Sequence, residues 1–247
     1  MAEDKAVDTS SCCASCGIAA VDDVKLKECD NCDLVRYCSD ECERGHRPKH
    51  LQACRGREAE LREELLFKQP EASHRGDCPI CMLPLPLDLT KSTIYGCCSK
   101  IICNGCVIAH QMRLTETSMD RICPFCREPS FVTEEQGDKR MMKRVEANDP
   151  VAIRYQGVKQ YKAGDHKRAV EYFTKAAELG DAPSHFKLAI MHIDGDGVEK
   201  DDGKHIHHLE EAAIGGHPHA RYFLGKKELE NGNIGRAAKH FVISATQ

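Results

Sequence analysis

The sixteen cysteines of this 247-residue chain all lie between Cys12 and Cys126. A module of about fifty residues buries too little apolar surface to fold unaided, and such modules usually recruit disulfides or a metal ion. The half of the chain after Cys126 contains no cysteine, so it must fold by burying apolar side chains. The cysteine distribution therefore predicts cross-linked small modules first and an ordinary apolar fold second.

The start of the chain favours zinc over disulfides. Residues 1–8 are acidic and contain no apolar core of a secretory signal, so we expect reduced thiols in an intracellular compartment, cytoplasm or nucleus. No apolar run approaches the roughly twenty residues of a membrane span. The formal net charge of −4 becomes more negative once thiolates bind zinc, which argues against binding to nucleic acid. The expected partners are therefore proteins.

The first cysteine-rich module, residues 13–54, contains eight candidate ligands in four pairs. A C-x-x-C turn places two sulfur atoms on one side of a tight loop, as two corners of a zinc tetrahedron require. Separate redox centres would need a thioredoxin-like βαβ pattern, which is not visible. The eight candidates are Cys13, Cys16, Cys29, Cys32, Cys38, Cys42, His50 and Cys54.

This spacing, with Tyr-Cys-Ser before the third pair, resembles the MYND zinc finger. The resemblance implies two interleaved zinc ions and a role in binding short, often proline-containing segments of other proteins. Arg47 stands where such fingers usually carry an aromatic residue, Cys12 is left spare, and His46 is expected on the surface. One implied zinc site consists of Cys13, Cys16, Cys38 and Cys42, and the other of Cys29, Cys32, His50 and Cys54.

The second cysteine-rich stretch contains three C-x-x-C pairs and a cysteine doublet in under fifty residues. It resembles a RING finger, in which the first and third ligand pairs hold one zinc and the second and fourth pairs hold another. Lys100 occupies the usual histidine position, so either Cys97 or His110 is the candidate replacement, and His110 is otherwise a surface residue. The resemblance implies a first site of Cys78, Cys81, Cys103 and Cys106, and a second of Cys97, Cys98, Cys123 and Cys126. Together the two modules are expected to bind four zinc ions per chain.

The RING resemblance also implies a function. A RING-type ubiquitin ligase has no catalytic nucleophile of its own and orients a ubiquitin-charged conjugating enzyme. By resemblance, Ile80 and Pro124 contact the conjugating enzyme, and Arg127 hydrogen-bonds both the enzyme and ubiquitin. Alternatively, the missing histidine marks a RING-like fold in an adaptor without ligase activity. Ile80 then only covers a zinc loop, Pro124 rigidifies its loop, and Arg127 is a solvated charge.

The remainder of the chain repeats itself. Ala176-Ala177 recurs as Ala212-Ala213, a period of 36 residues, and the doublet reappears as Ser244-Ala245. The period and the Gly195-Asp-Gly197 turn resemble the Sel-one-like repeat, a relative of the tetratricopeptide repeat, with two and a fraction repeats visible. This implies an α-solenoid that binds an unknown client protein. The histidines of one junction are expected to be solvated at helix ends rather than to bind a metal; they are His205, His207, His208, His217 and His219.

The expected fold class is a multi-domain chain of two small zinc-stapled modules, MYND and RING-like, followed by an all-α solenoid of helix pairs. A helix through residues 57–69 is expected to stop at Pro70. The expected domains are a disordered tail (1–12), the MYND-type finger (13–54), a linker helix (55–72), the RING-like finger (75–130), a second linker (131–148) and the helical repeats (149–247).

Overall fold

The computed structural model describes residues 12–20, 25–71, 73–130 and 133–246. These residues form two compact units, residues 1–66 and residues 67–247, which are described separately below. The expected disordered tail lies outside the described residues except for Cys12, which forms a β-bridge with Ala19. Among the described residues, no helix combines the length and the apolarity needed to cross a bilayer.

The first unit is a short hairpin followed by a long helix. Strands β1 (Lys27–Glu28) and β2 (Arg36–Tyr37) pair antiparallel, and helix α1 spans Asp40–Phe67. Acidic residues in the first turn of α1 suit the positive end of its dipole. The expected linker helix at 57–69 is thus not a separate element, because the helix already begins in the zinc finger and runs through Pro48. It ends three residues before Pro70.

The second unit opens with the RING-like module. A 3₁₀ turn (Leu89–Lys91) leads into strand β3 (Ser92–Tyr95), which pairs antiparallel with β4 (Lys100–Cys103), and helix α2 (Asn104–Glu116) follows directly. The small core of this module consists of Cys78, Leu85, Ile102 and Val107. Two of its ligands therefore lie on or beside the same strand-to-helix junction that carries the core.

The expected linker at 131–148 contains helix α3 (Glu134–Glu146), whose N-terminus is capped by the Thr133 hydroxyl. Met141 and Val145 of α3 are buried in one cluster with residues of the first repeat, Ala152 and Ile153. Ile94 of β3 packs against the same cluster. Helix α3 therefore joins the zinc module to the repeats through a shared apolar core.

Six helices form three successive pairs in the repeat region. Each pair has two helices of similar length, and aspartate side chains cap four of the N-termini by accepting backbone hydrogen bonds (Asp149, Asp165, Asp181 and Asp201). The helices are α4 (Pro150–Lys162), α5 (His166–Glu178), α6 (Ala182–Asp194), α7 (Asp202–Ile214), α8 (Pro218–Glu230) and α9 (Ile234–Ala245).

The pairs pack through matched small and large residues. A Cβ atom added to Gly157 of α4 would come within 2.8 Å of the Phe173 ring on α5, and one added to Gly225 of α8 would come within 2.7 Å of the Phe241 ring on α9. The middle pair has the fully buried Ala189 and Leu209 at the equivalent helix positions. The helices thus approach closely because a larger residue on one is compensated by a smaller residue on the other.

Candidate metal centres and the RING-like surface

Four groups of potential ligands stand out among the described residues. In each group, one ligand atom from each of four side chains lies within 4.8 Å of the others. The structure thus brings together every residue expected as a ligand and leaves Cys12 outside the groups. The groups are Cys13, Cys16, Cys38 and Cys42; Cys29, Cys32, His50 and Cys54; Cys78, Cys81, Cys103 and Cys106; and Cys97, Cys98, Cys123 and Cys126.

The distances within these groups fit zinc. Sulfur atoms that share a tetrahedral zinc at Zn–S distances of about 2.3 Å lie about 3.8 Å apart, whereas a disulfide joins its sulfurs at about 2.05 Å. The Sγ–Sγ distance is 3.8 Å between Cys81 and Cys103 and 3.9 Å between Cys98 and Cys123. None of the cysteines in the described part of the chain forms a disulfide. The donor set and its spacing therefore match structural zinc sites.

The MYND-type finger shows the same spacing. The Sγ–Sγ distance is 3.5 Å between Cys16 and Cys38, and Cys32 Sγ lies 3.2 Å from His50 Nε2. Cys42, His50 and Cys54 all lie on α1, where a spacing of four residues places His50 and Cys54 on one helix face. The N-terminal part of α1 is therefore a ligand-bearing element of the finger.

Three C-x-x-C turns share one backbone geometry. The N–H of the residue after the second cysteine donates to the carbonyl of the first, at 2.8 Å for Gly17, 2.9 Å for Met82 and 3.0 Å for Arg127. These three residues have positive φ angles of 75°, 57° and 62°. Only the first is glycine, so the RING-like module holds two bulky residues in a conformation that favours glycine.

The acidities of the thiols show why a cation belongs in these clusters. Although burial raises the pKa of Cys78, the backbone N–H groups of Cys81, Cys103 and Ile80 lower it to about 6. In the same cluster, burial and the neighbouring cysteines raise the pKa of Cys106 to about 12. One thiol ionises readily and the next resists, because like charges accumulate in a small volume. A divalent cation removes that conflict and allows all four thiolates to form.

The second RING-like cluster is completed by cysteine. Cys97 Sγ lies 3.4 Å from Cys126 Sγ, which places Cys97 in the group expected to need a substitute for the missing histidine. His110 is engaged elsewhere, since its Nε2 donates to the Ile122 carbonyl at 3.1 Å. Lys100 stacks over the Phe125 ring, with Nζ 5.7 Å from the centroid. The geometry therefore supports an all-cysteine site and gives Lys100 a packing contact instead of a ligand role.

His46 is more than the surface residue expected from the sequence. Its Nδ1 lies 3.1 Å from the hydroxyl of Tyr37, which is buried, and its ring stacks on His50 at 5.9 Å between centroids. It thereby helps to fix the orientation of the ligand His50. Arg47 is exposed and lines a cavity with Tyr37, His50 and residues of the second zinc cluster. The position that usually carries an aromatic residue in a MYND finger therefore contributes a charged side chain to this cavity.

The residues implied in contacts with a conjugating enzyme lie at the surface of the RING-like module. Ile80 is 42% exposed, inside the first zinc loop. Pro124 and Arg127 line one cavity of about 360 Å³ together with His110 and Leu114 of α2. Arg127 is exposed at its rim. The structure therefore brings Pro124 and Arg127 together against the central helix and leaves Ile80 open on the first loop.

The histidines of the repeat junction differ from the expectation of solvated helix ends. His205 is buried, with its Nδ1 2.8 Å from the Ala189 carbonyl, and His217 is buried as the N-cap of α8. His208 is half-buried, with its Nδ1 3.1 Å from that of His185. Only His207 and His219 are exposed. The expectation of solvated helix ends was wrong for His205, His208 and His217, because these side chains contact backbone atoms and other rings. Contacts between helices cannot be predicted from the sequence of one helix.

Comparisons with known proteins match separate parts of this architecture. Residues 13–54 match the family model of the MYND finger, and residues 152–181 and 182–217 match that of the Sel1 repeat. The chain is 43% identical over 68 residues to "E3 ubiquitin-protein ligase GW2" of Oryza sativa subsp. indica, and 38% identical over 63 residues to "E3 ubiquitin-protein ligase DA2" of Arabidopsis thaliana.

These matches are partial. The first covers 28% of this chain and 15% of the rice protein, and the second covers 26% of this chain and 14% of the Arabidopsis protein. A Sel1 repeat protein from Oxalobacter formigenes aligns over 49% of this chain and 37% of its own, with a TM-score of 0.43 and 25% identity. By the family-model matches and the ligand clusters, the chain carries a MYND finger, a second set of zinc-binding cysteine clusters and Sel1 repeats.

Proposed function

We propose that this protein is a RING-type ubiquitin ligase whose MYND finger and Sel1 repeats bind other proteins. The single observation that carries the proposal is the pair of interleaved cysteine clusters at residues 78–126, with Pro124 and Arg127 beside the central helix. The names of the matched rice and Arabidopsis relatives support the same activity. We place the protein in a reducing compartment, because the fifteen cysteines of the four clusters can bind zinc there as thiolates.

Such a ligase works by positioning. It holds a conjugating enzyme so that the thioester to ubiquitin is presented to a substrate lysine, and it contributes no nucleophile. The RING-like module and the repeats belong to one compact unit and share the core around Met141 and Ile94. A client held by the repeats would therefore stay close to the charged enzyme. The clients themselves would be recognised by the MYND finger, the repeats or both.

The deciding experiment compares Arg127→Ala with Arg121→Ala in a ubiquitin discharge assay. Both arginines are exposed in the same loop region, but only Arg127 lines the cavity with Pro124. Losing a charged hydrogen bond in the assembled complex should slow transfer about ten- to a hundred-fold for Arg127→Ala. Zinc content and melting temperature should stay close to wild type. Arg121→Ala should transfer at the normal rate.

Binding of the conjugating enzyme gives a second measurement. Ile80→Ala should weaken it, because this exposed side chain would lie near the centre of a small interface. Ile193→Ala removes a similarly exposed isoleucine, 40% exposed, from helix α6 and should have no effect.

A non-enzymatic adaptor is the second candidate, and the all-cysteine cluster in place of the usual histidine favours it. If the zinc-loaded wild-type chain discharges ubiquitin from no member of a broad panel of conjugating enzymes, the adaptor function replaces the ligase proposal.

A further inference from the structure

The last helix pair of the repeats holds three residues of its own chain that precede the RING-like module. The Phe67 ring packs on His240 of α9, with 4.7 Å between ring centroids. The Arg221 guanidinium of α8 donates to the Lys68 carbonyl at 3.2 Å, and the Gln69 amide donates to the Thr246 hydroxyl at 2.9 Å. Residues 67–69 thus occupy a surface formed by α8 and α9, which we call the α8–α9 surface.

The α8–α9 surface is positively charged around the aromatic ring. The Arg236 guanidinium lies 4.9 Å and the Lys239 ammonium 5.1 Å from the centroid of Phe67. Arg221 is fully buried beneath, and Arg236 also pairs with Glu228 at 2.7 Å. Cations over the face of an aromatic ring attract it, and they attract carboxylates still more strongly.

His240 adds a second, independent observation. Its side chain is 1% exposed, yet its Nδ1 has no hydrogen-bond partner within the described residues. Most buried polar atoms in folded proteins are paired. This ring nitrogen can therefore still accept or donate a hydrogen bond.

We propose that the α8–α9 surface is a peptide-binding site, that residues 67–69 are its internal occupant, and that its external partner is an acidic segment carrying an aromatic residue. This inference deepens the proposed client-binding role of the repeats. The aromatic ring of the partner takes the place of Phe67. A carboxylate next to it faces Lys239 and Arg221.

The internal occupant matches this surface only in part. Its contacts use a ring, a backbone carbonyl and an amide, which most peptides can offer, while Lys68 brings a further positive charge. The residues that follow are held by a separate contact, in which the His74 N–H donates to the Gly216 carbonyl at 3.3 Å. An acidic competitor can therefore displace residues 67–69 while this second contact keeps the RING-like module attached to the repeats.

The test uses the full-length, zinc-loaded chain and a fluorescent heptapeptide, Leu-Leu-Phe-Glu-Gln-Pro-Glu, which is residues 65–71 with K68E. Wild type should bind it weakly, because the internal segment competes. Phe67→Ala should bind it about tenfold more tightly, because in this variant a larger fraction of molecules has the α8–α9 surface free of residues 67–69. Leu65→Ala, a change at an exposed position of the same helix, should bind like wild type.

Two further measurements locate the site. Adding Lys239→Glu to Phe67→Ala should weaken binding several-fold, and because Lys239 is exposed the variant should keep its helical circular dichroism. Trypsin should cleave after Lys68 faster in Phe67→Ala than in wild type. Equal affinity of wild type and Phe67→Ala, or equal affinity with and without Lys239→Glu, would overturn the proposal. Since no ubiquitin transfer is measured, this site and the ligase function can fail separately.

Discussion

The MYND finger and the repeat region of this chain are stabilised by different forces. The buried side chains of the finger are largely ligands, namely Cys13, Cys32, His50 and Cys54. Those of the repeats are largely alanine, leucine and isoleucine, and many are fully buried. The finger must therefore obtain its folding free energy from metal coordination, whereas the repeats obtain theirs from close apolar packing. The two regions should therefore unfold under different treatments, the finger when metal is removed and the repeats when their apolar packing is disrupted.

Metal removal should separate the two regions most strongly. Structural zinc contributes about 10 kcal/mol or more per site in small modules, so a chelator should unfold residues 13–54 and 78–126. Most of the helical circular dichroism should survive, because α4 to α9 contain no ligand of the four clusters. Native mass spectrometry should count four zinc ions before treatment. Fewer than three would contradict the double site in the RING-like module, and loss of all helical signal would contradict the independence of the repeats.

A single ligand change should act within one cluster. Cys97→Ser removes a sulfur that lies 3.4 Å from Cys126 and should release one zinc per chain. Lys100→Ala is the matched control, since Lys100 contacts the Phe125 ring and should keep all four ions. His110→Ala should also retain them, because its imidazole is bonded to a carbonyl. Equal zinc content in Cys97→Ser and wild type would show that Cys97 is not the fourth ligand.

Acid should weaken the repeats through buried neutral histidines. Burial and the nearby Arg221 lower the pKa of His240 to about 4, below the value of about 6.5 expected in the unfolded chain. As the pH falls, the unfolded state takes up the proton first, so the stabilisation is complete above pH 6.5 and is lost towards pH 4. The loss from this residue should reach up to about 3 kcal/mol.

His240→Leu should flatten this dependence, since the buried Nδ1 has no partner to lose among the described residues. Chemical denaturation at pH 7 and pH 5, followed by helical circular dichroism, measures the difference between variant and wild type. A difference that is the same at both pH values would exclude His240 as a source of acid sensitivity.

The smallest effect should come from the packing of the helix pairs. Gly157→Ala places a methyl group 2.8 Å from the Phe173 ring and should destabilise the repeats by about 1–3 kcal/mol. Gly235→Ala is the control, because no atom lies within 4 Å of the added group, and it should be neutral or stabilising by up to about 1 kcal/mol.

The double variant Gly157→Ala/Phe173→Leu introduces the Ala–Leu pair of the middle repeat and should recover part of the loss. If the double variant loses as much free energy of unfolding as the two single variants together, the matched-pair interpretation is contradicted.

The zinc clusters were accessible from the sequence because each C-x-x-C turn is a local structure and its ligands are chemically distinctive. The Gly195-Asp-Gly197 turn is likewise a local feature, and the structure places it between the paired helices α6 and α7. The 36-residue period likewise reported a spatial repeat directly. What the spacing could not tell was where α1 begins: the sequence predicted a helix only through residues 57–69, whereas α1 starts at Asp40 and runs through Pro48.

Residues that act through distant contacts were harder to predict. Met141 and Val145 read as part of a charged linker, although their burial against Ile94 and Ile153 makes α3 a structural bridge. His205 and His217 read as polar helix ends, although they are buried between helices. In each case the deciding partner lies on another element, and no local pattern carries its position.

The positive φ angles in the RING-like loops have a consequence for evolution. Arg127 holds a left-handed backbone conformation, with φ near 62°, at a position where Gly17 of the finger avoids the penalty. A selection experiment that rewards thermal stability alone should therefore enrich glycine at position 127, because the strain of roughly 1 kcal/mol would vanish. A selection that rewards ubiquitin transfer should retain arginine. Opposite outcomes from the same codon library would reveal a residue kept for activity at the expense of stability.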